Sequence, residues 1–291
     1  MHSTAIVTNS VSAFVKAARP QTLGAMSCPI LIGTACAKAA GPLSLSIFTL
    51  SLGAGLLLQI LANFINDYGD FIKGSDAQGR LGPPRALQMG WITKNAMMQG
   101  MGLTTVLIIL CGWPLVLRGG LPILFMGMAG LFLCAWYTLG KRPLAYIGFA
   151  EVIIFFVFGP GATIATYYLQ TKAFSMPALI ASLSPGFLAS ALLLTNNLRD
   201  LEQDRINNKR TTAVRLGENF CRNATVILVI LALLGPLILW SCIAFLLPAR
   251  YFTMILREPI SSKFNLMLAG LGRALYLLAI IFSLGIVYGA P

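Results

Sequence analysis

Two short polar segments hold most of the carboxylates of a very hydrophobic chain. The first, "NFINDYGDFIKGSD", occupies residues 63–76, and the second, "TNNLRDLEQDRINNKRT", occupies residues 195–211. Six of the nine Asp and Glu residues in the 291-residue sequence fall in these two segments: Asp67, Asp70, Asp76, Asp200, Glu202 and Asp204. Because acidic side chains are so scarce elsewhere, we expect the chemistry of the protein at these two places.

Helical spacing brings polar side chains of each segment onto one face. Asn66 and Asp70 are four residues apart, and residues four apart are neighbours on a helix. Asp200 and Asp204 have the same separation. Two carboxylates about 6 Å apart repel by roughly 2–3 kcal/mol at an effective dielectric constant of about 20, and a divalent cation removes that cost. Oxygen ligands with no histidine or cysteine beside them favour Mg²⁺ over zinc. The predicted catalytic residues are Asn66, Asp70, Asp200 and Asp204, and the predicted Mg²⁺ ligands are these four and Asp67.

Basic residues surround both acidic segments. Mg²⁺ is usually held by one or two carboxylates and completes its shell with water and substrate phosphate, and arginine clamps phosphate oxygens in bidentate fashion. The pattern therefore predicts a metal-bridged diphosphate, although each basic residue could instead be an anchor at the membrane surface. The predicted diphosphate- and substrate-binding residues are Asn63, Lys73, Arg80, Arg85, Lys141, Arg142, Tyr146, Asn197, Arg199 and Lys209.

The elements that position these residues are membrane-spanning helices. The chain is 57% hydrophobic and 10% charged, whereas soluble domains are roughly a quarter charged. Apolar runs of about 20 residues, enough to cross about 30 Å of hydrocarbon, recur throughout. We predict an all-α polytopic membrane protein forming a single domain over residues 1–291. The predicted spans are 22–40, 43–65, 95–117, 121–139, 147–169, 177–195 and 265–288, with two short helices in 223–257 that break near Gly235 and Pro236, which makes about nine.

The charge distribution predicts the orientation. Lys and Arg concentrate in the N-terminal segment and in the loops after even-numbered spans, whereas the opposite side holds only Lys38, Arg118 and Lys172. Positively charged loops stay in the cytoplasm, so both acidic segments are expected at the cytoplasmic ends of their helices, facing one cavity. The net charge of +12 is then explained by topology, and no nucleic-acid partner is predicted. The Gly- and Pro-rich loop of residues 66–94 suits a mobile cap over a site.

At these residues the sequence resembles the UbiA superfamily of intramembrane aromatic prenyltransferases. The N-x-x-x-D motif of that family corresponds to Asn66 and Asp70, and its D-x-x-x-D motif corresponds to Asp200 and Asp204. The similarity is carried by "NDYGDFIKGSD", "GPPRALQMGWIT", "YTLGKRPLAYIGFAEVIIFFVFGP", "ATYYLQT" and "NNLRDLEQDRINNKRTTAVRLG", and it spreads over residues 63–217. Within the superfamily the sequence is most similar to the members of the menaquinone pathway.

The resemblance implies a UbiA-type helical bundle in the bacterial cytoplasmic (inner) membrane, with its active site towards the cytoplasm. It implies Mg²⁺-dependent transfer of a polyprenyl group from polyprenyl diphosphate to 1,4-dihydroxy-2-naphthoate, with loss of CO₂, giving demethylmenaquinone. Tyr68, Tyr137, Tyr146, Phe155 and Phe156 are candidates to line the cavity and stabilise an allylic cation.

Several alternatives remain open from the sequence. Glu151 could bind or prime the acceptor, or it could be a buried, paired glutamate. The acceptor could be another aromatic acid such as 4-hydroxybenzoate or homogentisate. A secondary transporter is the alternative from a different class, because intramembrane acids often mark ion paths. Transporters, however, place such acids near the middle of the membrane on broken helices.

Overall fold

A computed structural model describes residues 9–74, 81–148, 150–234 and 249–288, and every regular element in these ranges is a helix. The α-helices are α1 Val11–Ala18, α2 Gly24–Ala40, α3 Leu45–Ile72, α4 Lys94–Gly119, α5 Leu121–Thr138, α6 Leu144–Ile147, α7 Ala150–Phe156, α8 Ala162–Thr171, α9 Met176–Arg199, α10 Leu201–Ile206, α11 Thr212–Leu216, α12 Glu218–Leu234, α13 Ala249–Arg257 and α14 Phe264–Tyr288. A 3₁₀ turn, Pro20–Thr22, precedes α2, and a π-helical turn, Val157–Gly161, joins α7 to α8.

Six helical segments of the described chain are long and apolar enough to cross a membrane. They are Leu45–Ile72, Lys94–Gly119, Leu121–Thr138, Ala150–Thr171, Met176–Arg199 and Phe264–Tyr288. A seventh is obtained when Val11–Thr22 and Gly24–Ala40, which meet at 55°, are counted as one bent span. The prediction of a polytopic all-α membrane protein is thus confirmed, and the predicted count of nine helices is only approximate.

The region predicted as two short spans is described only in part. Helix α12 is described from Glu218 to Leu234, and α13 is described from Ala249 to Arg257. The predicted break near Gly235 and Pro236 lies outside the described residues.

Local capping explains where the main helices begin. The side chains of Ser44, Thr93 and Ser175 accept hydrogen bonds from the first-turn amides of α3, α4 and α9, as N-cap residues do. Helix α3 continues to Ile72, seven residues beyond the membrane span predicted to end at residue 65, so the whole N-x-x-x-D segment is helical, as its four-residue spacing predicted. Helix α9 instead ends at Arg199, and Asp200 is its C-cap.

Helix α9 occupies the middle of the bundle, where it contacts α2, α7, α12 and α14. It also packs closely against the π-helical turn: a Cβ atom added at Gly159 would lie 2.8 Å from the carbonyl oxygen of Ser182 and 2.9 Å from the Cα atom of Gly186. Small residues allow membrane helices to approach this closely. Helices α4 and α5 lie at the periphery and expose large apolar side chains such as Trp113 and Phe132, as expected of surfaces that face lipid.

Alternation of helix direction places the acids at one end of this bundle. The ends of α3 and α9 that carry the two motifs lie beside the beginnings of α7 and α12, which carry Glu151 and Glu218. The opposite end is formed by the turns at residues 40–45, 119–121 and 171–176. The bundle therefore positions both acidic segments on one side of the membrane.

Candidate active site

Asp70 lies between two cations at the end of α3. Its side chain is almost fully buried, and its Oδ2 accepts a short hydrogen bond from the Arg85 guanidinium. Its Oδ1 lies 3.2 Å from Nζ of Lys209. Arg85 also donates to the backbone carbonyl of Asn66 at 3.0 Å, and the side-chain oxygen of Asn66 accepts a hydrogen bond from Thr138 at 3.4 Å. The first motif is thus held by charges from two loops.

The second motif straddles the junction between α9 and α10. Arg199 forms a bidentate pair with Asp200, at 2.8 and 2.7 Å, and donates to the side chain of Asn265 at 2.9 Å. Although α9 ends before Asp200, one helical hydrogen bond still spans the motif: the backbone amide of Asp204 donates to the carbonyl of Asp200 at 2.8 Å. Burial, with smaller contributions from the carboxylates of Asp200 and Asp70, raises the pKa of Asp204 to about 7 against the opposing effect of Lys209.

Lys209 connects the two motifs. Its ammonium group contacts Asp70, and its backbone amide donates to the carbonyl of Asp204 at 2.8 Å. The same ammonium lies 5.0 Å from the ring centroid of Tyr146, and Nζ of Lys73 lies 4.5 Å from that ring. Burial and the neighbouring Lys209 lower the pKa of Lys73, against the effect of Asp70. Carboxylates of both motifs and two ammonium groups therefore share one small region.

A cavity of about 210 Å³ lies beside the first motif. Its polar wall includes Asn63, Asn66, Tyr137, Asn196 and Arg19, and the remaining wall is mostly apolar. A second, almost wholly apolar cavity of about 430 Å³ shares part of this wall. The residues common to both cavities are Met26, Leu58, Gly130, Leu133, Ile153 and Val157. This arrangement suits a ligand with a polar end and a long apolar tail.

Comparison with known protein families matches residues 26–257 to the UbiA prenyltransferase family. The chain belongs to this family. Membership agrees with the predicted resemblance and does not favour the alternative of a transporter.

Two bacterial relatives extend the comparison along the chain. The sequence is 38% identical over 212 residues to the 1,4-dihydroxy-2-naphthoate octaprenyltransferase of Escherichia coli, covering 71% of this chain and 69% of that one. It is 33% identical over 308 aligned positions to the protein of the same name from Haemophilus influenzae, covering 99% and 100% of the two chains.

Solved structures of UbiA homologues share the fold. A homologue from Archaeoglobus fulgidus bound to DMAPP and Mg²⁺ aligns with a TM-score of 0.59 at 15% identity, covering 94% of this chain and 98% of that one. The apo structure of a homologue from Aeropyrum pernix aligns with a TM-score of 0.62 at 16% identity, covering 91% and 97%. At these identities the likeness establishes the architecture, and the protein is an all-α, multi-pass UbiA-fold prenyltransferase.

Some predicted site residues make contacts that the motifs of the family do not reveal. The amide of Asn63 donates to the carbonyl of Ala18 at 2.7 Å and to the hydroxyl of Thr22 at 3.0 Å, so it ties α3 to the N-terminal segment. Asp67 accepts a hydrogen bond from the backbone amide of Ala86. Lys141 and Arg142 are exposed, and Asp76 and Arg80 lie outside the described residues.

Glu151 is held by hydrogen bonds from two other elements. Asn197, which we predicted to bind substrate, donates to Oε1 at 2.7 Å, and Thr212 donates to Oε2 at 2.6 Å. Of the two sequence-based alternatives for Glu151, this geometry matches the buried, paired glutamate. Its role in this structure is to join α7 to α9 and α11.

The predicted metal ligands do not form an assembled metal site. Within the described residues, no group of three or more His, Cys, Asp or Glu side chains is arranged to hold a metal ion. The reason lies in the ion pairs, because Asp70 faces Arg85 and Lys209 while Asp200 faces Arg199. The donor chemistry nevertheless fits a hard cation, since carboxylate and amide oxygens are what Mg²⁺ prefers. A cation would replace these basic groups at the carboxylates.

Arg19 is a cavity residue that the sequence did not single out. It lies between α1 and the 3₁₀ turn with φ at 51°, a left-handed conformation that is rare for non-glycine residues. In the sequence, Arg19 was only one of the basic residues of the N-terminal segment that predict the orientation in the membrane. The available signal was its position before Pro20, because a residue preceding proline is disfavoured in the right-handed helical region and helices usually end there.

Proposed function

We propose that the protein transfers a polyprenyl group from polyprenyl diphosphate to 1,4-dihydroxy-2-naphthoate, with loss of the acceptor's carboxylate as CO₂, and that the reaction requires Mg²⁺. The observation that carries the proposal is the convergence of both acidic motifs on Lys209, beside a cavity whose wall is polar near the motifs and apolar beyond. The names of the E. coli and H. influenzae relatives support this acceptor.

The basic groups at the motifs are suited to receive the diphosphate. Arg85 and Lys209 now neutralise Asp70, and Lys73 lies over Tyr146. When metal and substrate bind, these cations can transfer from carboxylate to phosphate oxygens without leaving the site. Bound Mg²⁺, held by Asn66, Asp70, Asp200 and Asp204, would neutralise the diphosphate and so favour its departure with the bonding electrons.

The cavity walls are suited to the allylic cation that this departure leaves. Apolar side chains such as Ile153 and Val157 exclude water, which would otherwise capture the cation. The ring of Tyr137 lies in the same wall and offers a π-face to positive charge. A hydroxynaphthoate ring is electron-rich, so ring carbon can attack the cation without a strong base.

Arg19 is suited to hold the carboxylate of the acceptor. The basic residues that the sequence predicts to bind diphosphate and substrate include Lys73, Arg80, Arg85, Lys141, Arg142 and Lys209. Among the described residues that line the 210 Å³ cavity, however, Arg19 is the charged one. A guanidinium binds a carboxylate in bidentate geometry, and here it lies in the same wall as Asn66.

Residues 1–291 form one integral-membrane prenyltransferase domain in this proposal, located in the bacterial cytoplasmic membrane with the site towards the cytoplasm. The orientation rests on the excess of Lys and Arg at the end of the bundle that carries the acids. Cysteine-accessibility labelling in intact cells tests it: position 207 is expected to label only from the cytoplasm and position 172 only from outside.

The reaction is tested with purified protein in lipid nanodiscs, Mg²⁺, a polyprenyl diphosphate and a panel of aromatic acids. We expect prenylated product from 1,4-dihydroxy-2-naphthoate with a mass that shows loss of CO₂. Asp70→Ala, Asp200→Ala and Asp204→Ala are expected to abolish turnover. Glu202→Gln is the matched control, because Glu202 is exposed and pairs with Arg205.

Each negative outcome has a separate meaning. A product that keeps the carboxylate, or turnover only with 4-hydroxybenzoate or homogentisate, would reject the naphthoate acceptor. Near-normal turnover in a folded Asp70→Ala variant would show that Asp70 is not a ligand. Full activity in EDTA would reject the requirement for a divalent cation.

A further inference from the structure

The carboxylate of Asp67 is hydrogen-bonded to the loop between α3 and α4. Asp67 lies one helical turn before Asp70, and both residues are 1% exposed. Its Oδ2 accepts a hydrogen bond of 3.0 Å from the backbone amide of Ala86. Its Oδ1 is buried and has no hydrogen-bond partner among the residues that the structure describes. The carboxylate thus uses one oxygen to hold backbone that is 19 residues away in sequence.

The described part of this loop is packed against the bundle. Within residues 85–92 the chain turns back on itself, with the amide of Trp91 donating to the carbonyl of Ala86 at 2.9 Å. The side chains of Ala86 and Leu87 are buried in one apolar cluster with Phe64 of α3. Ala86 is therefore the point at which this loop is fixed both by apolar packing and by the Asp67 carboxylate.

Arg85 immediately precedes this fixed point. Its guanidinium reaches the Asp70 carboxylate and the backbone carbonyl of Asn66, so its position depends on where the backbone at Ala86 is held. We propose that Asp67 is a positioning residue, which holds the loop so that Arg85 reaches the first motif, and that it is not a metal ligand. The inference deepens the proposed function, on which it rests, because Arg85 is one of the groups expected to grip the diphosphate.

The two roles of Asp67 make different demands on its side chain. A positioning residue needs an oxygen that accepts from the Ala86 amide, and Asp67→Asn keeps such an acceptor. A metal ligand needs the negative charge, which Asp67→Asn removes. Asp67→Ala removes the acceptor and the charge together. A comparison of the asparagine and alanine variants therefore separates the two roles.

The experiment applies three methods to the full-length protein in detergent or nanodiscs. Isothermal titration with MgCl₂ gives the metal dissociation constant, hydrogen exchange with mass spectrometry gives the protection of residues 81–93, and steady-state kinetics give KM for the polyprenyl diphosphate and kcat. Asp70→Asn serves as the metal-ligand comparison, and Glu202→Gln serves as the exposed control.

We expect Asp67→Ala to bind Mg²⁺ like the unsubstituted protein and to lose exchange protection in the loop. Its KM for the polyprenyl diphosphate should rise by about tenfold or more, which is the size of the effect when a charge-assisted contact is lost. Asp67→Asn is expected to restore most of the protection and of KM. Asp70→Asn should show the opposite pattern, with Mg²⁺ binding lost and the loop still protected.

Two results would overturn the inference. One is loss of Mg²⁺ binding in Asp67→Asn comparable with that in Asp70→Asn, and the other is unchanged loop protection in a folded Asp67→Ala protein. If Asp67→Ala does not fold, the asparagine variant alone decides through its metal affinity and loop protection. Metal binding and exchange need no turnover, so failure of the proposed reaction would be seen separately, as absence of product from the unsubstituted protein.

Discussion

Lys209→Met is expected to change metal and diphosphate binding in opposite directions. The substitution removes an ammonium group 3.2 Å from Oδ1 of Asp70 and keeps an unbranched apolar stem. Two unit charges at that distance attract by about 5 kcal/mol at an effective dielectric constant of about 20. Desolvation reduces the net value, and hydrogen bonds to charged groups are worth about 1.5–3 kcal/mol. That energy corresponds to about 10- to 100-fold in a binding constant.

The opposite signs follow from the competition at Asp70. In the absence of diphosphate, Lys209 competes with a metal ion for this carboxylate, so its removal should tighten Mg²⁺ binding by up to that factor. With metal bound, the ammonium group is available to the diphosphate, so its removal should raise KM for the polyprenyl diphosphate by a similar factor.

Calorimetric titration with MgCl₂ measures the first effect, and initial rates at saturating Mg²⁺ measure the second. Lys94→Met is the matched control, because Lys94 is exposed at the start of α4 on the same side of the bundle and is not a predicted binding residue, and it should change neither quantity. Weaker Mg²⁺ binding in Lys209→Met, or an unchanged KM for the diphosphate, would refute the reasoning. The first result would indicate that Lys209 mainly supports the fold of the second motif.

Four further predictions test other parts of the structure. The folded-state pKa of Asp204 is raised from 3.8 to about 7, so the native state binds a proton more tightly than the unfolded chain, and the melting temperature in EDTA should fall as pH rises from 5 to 8. Asp204→Asn should flatten this dependence on pH. If the dependence persists in that variant, the titrating group is a different residue. Glu151→Gln should keep near-normal kcat, because an amide can accept from Asn197 and donate to Thr212. Glu151→Ala removes both hydrogen bonds and should lower the melting temperature. A large fall in kcat for the glutamine variant would instead support an acid–base role for Glu151. Gly159→Ala should destabilise the protein by about 1–3 kcal/mol, since the added methyl group meets the carbonyl of Ser182. Gly127 has open space around it, so the Gly127→Ala control should unfold at the same temperature as the unsubstituted protein. Arg19→Ala should raise KM for the aromatic acid and spare KM for the diphosphate, and equal increases in both would move the acceptor site away from Arg19.

Local patterns in the sequence predicted the features that depend on neighbouring residues. Apolar runs predicted the main helices, and the four-residue spacing predicted that Asn66 and Asp70 share a face of α3. The predicted membrane span stops at residue 65 because Asn66, Asp67 and Asp70 are polar, and the helix itself continues through them, as their helical spacing predicted. Their polarity is tolerated there because the loop and the second motif supply hydrogen-bond partners that hydropathy does not register.

Contacts between distant segments could not be predicted in the same way. Glu151 meets Thr212, 61 residues later, and Asp67 meets a backbone amide rather than a side chain. A backbone amide has no residue type, so no pattern of side chains can indicate it. Arg19 likewise joins the cavity only because the chain turns sharply between α1 and α2. The ion pair of Arg199 with Asp200 could be suspected from adjacency, but its bidentate geometry depends on the end of α9.

The shared wall of the two cavities has a kinetic consequence. The larger cavity is bounded by Met126 and Phe156, which are themselves exposed on the surface of the bundle. In the proposed reaction, we therefore expect a polyprenyl chain that occupies this cavity to enter from the hydrocarbon layer and not from water. We then expect the rate to depend on the number of substrate molecules per lipid, not on their number per litre. Adding empty vesicle lipid that exchanges with the substrate pool, at constant total substrate, should slow the reaction, and adding buffer should not. Rates measured for this protein are accordingly comparable only at equal mole fraction of polyprenyl diphosphate in the bilayer.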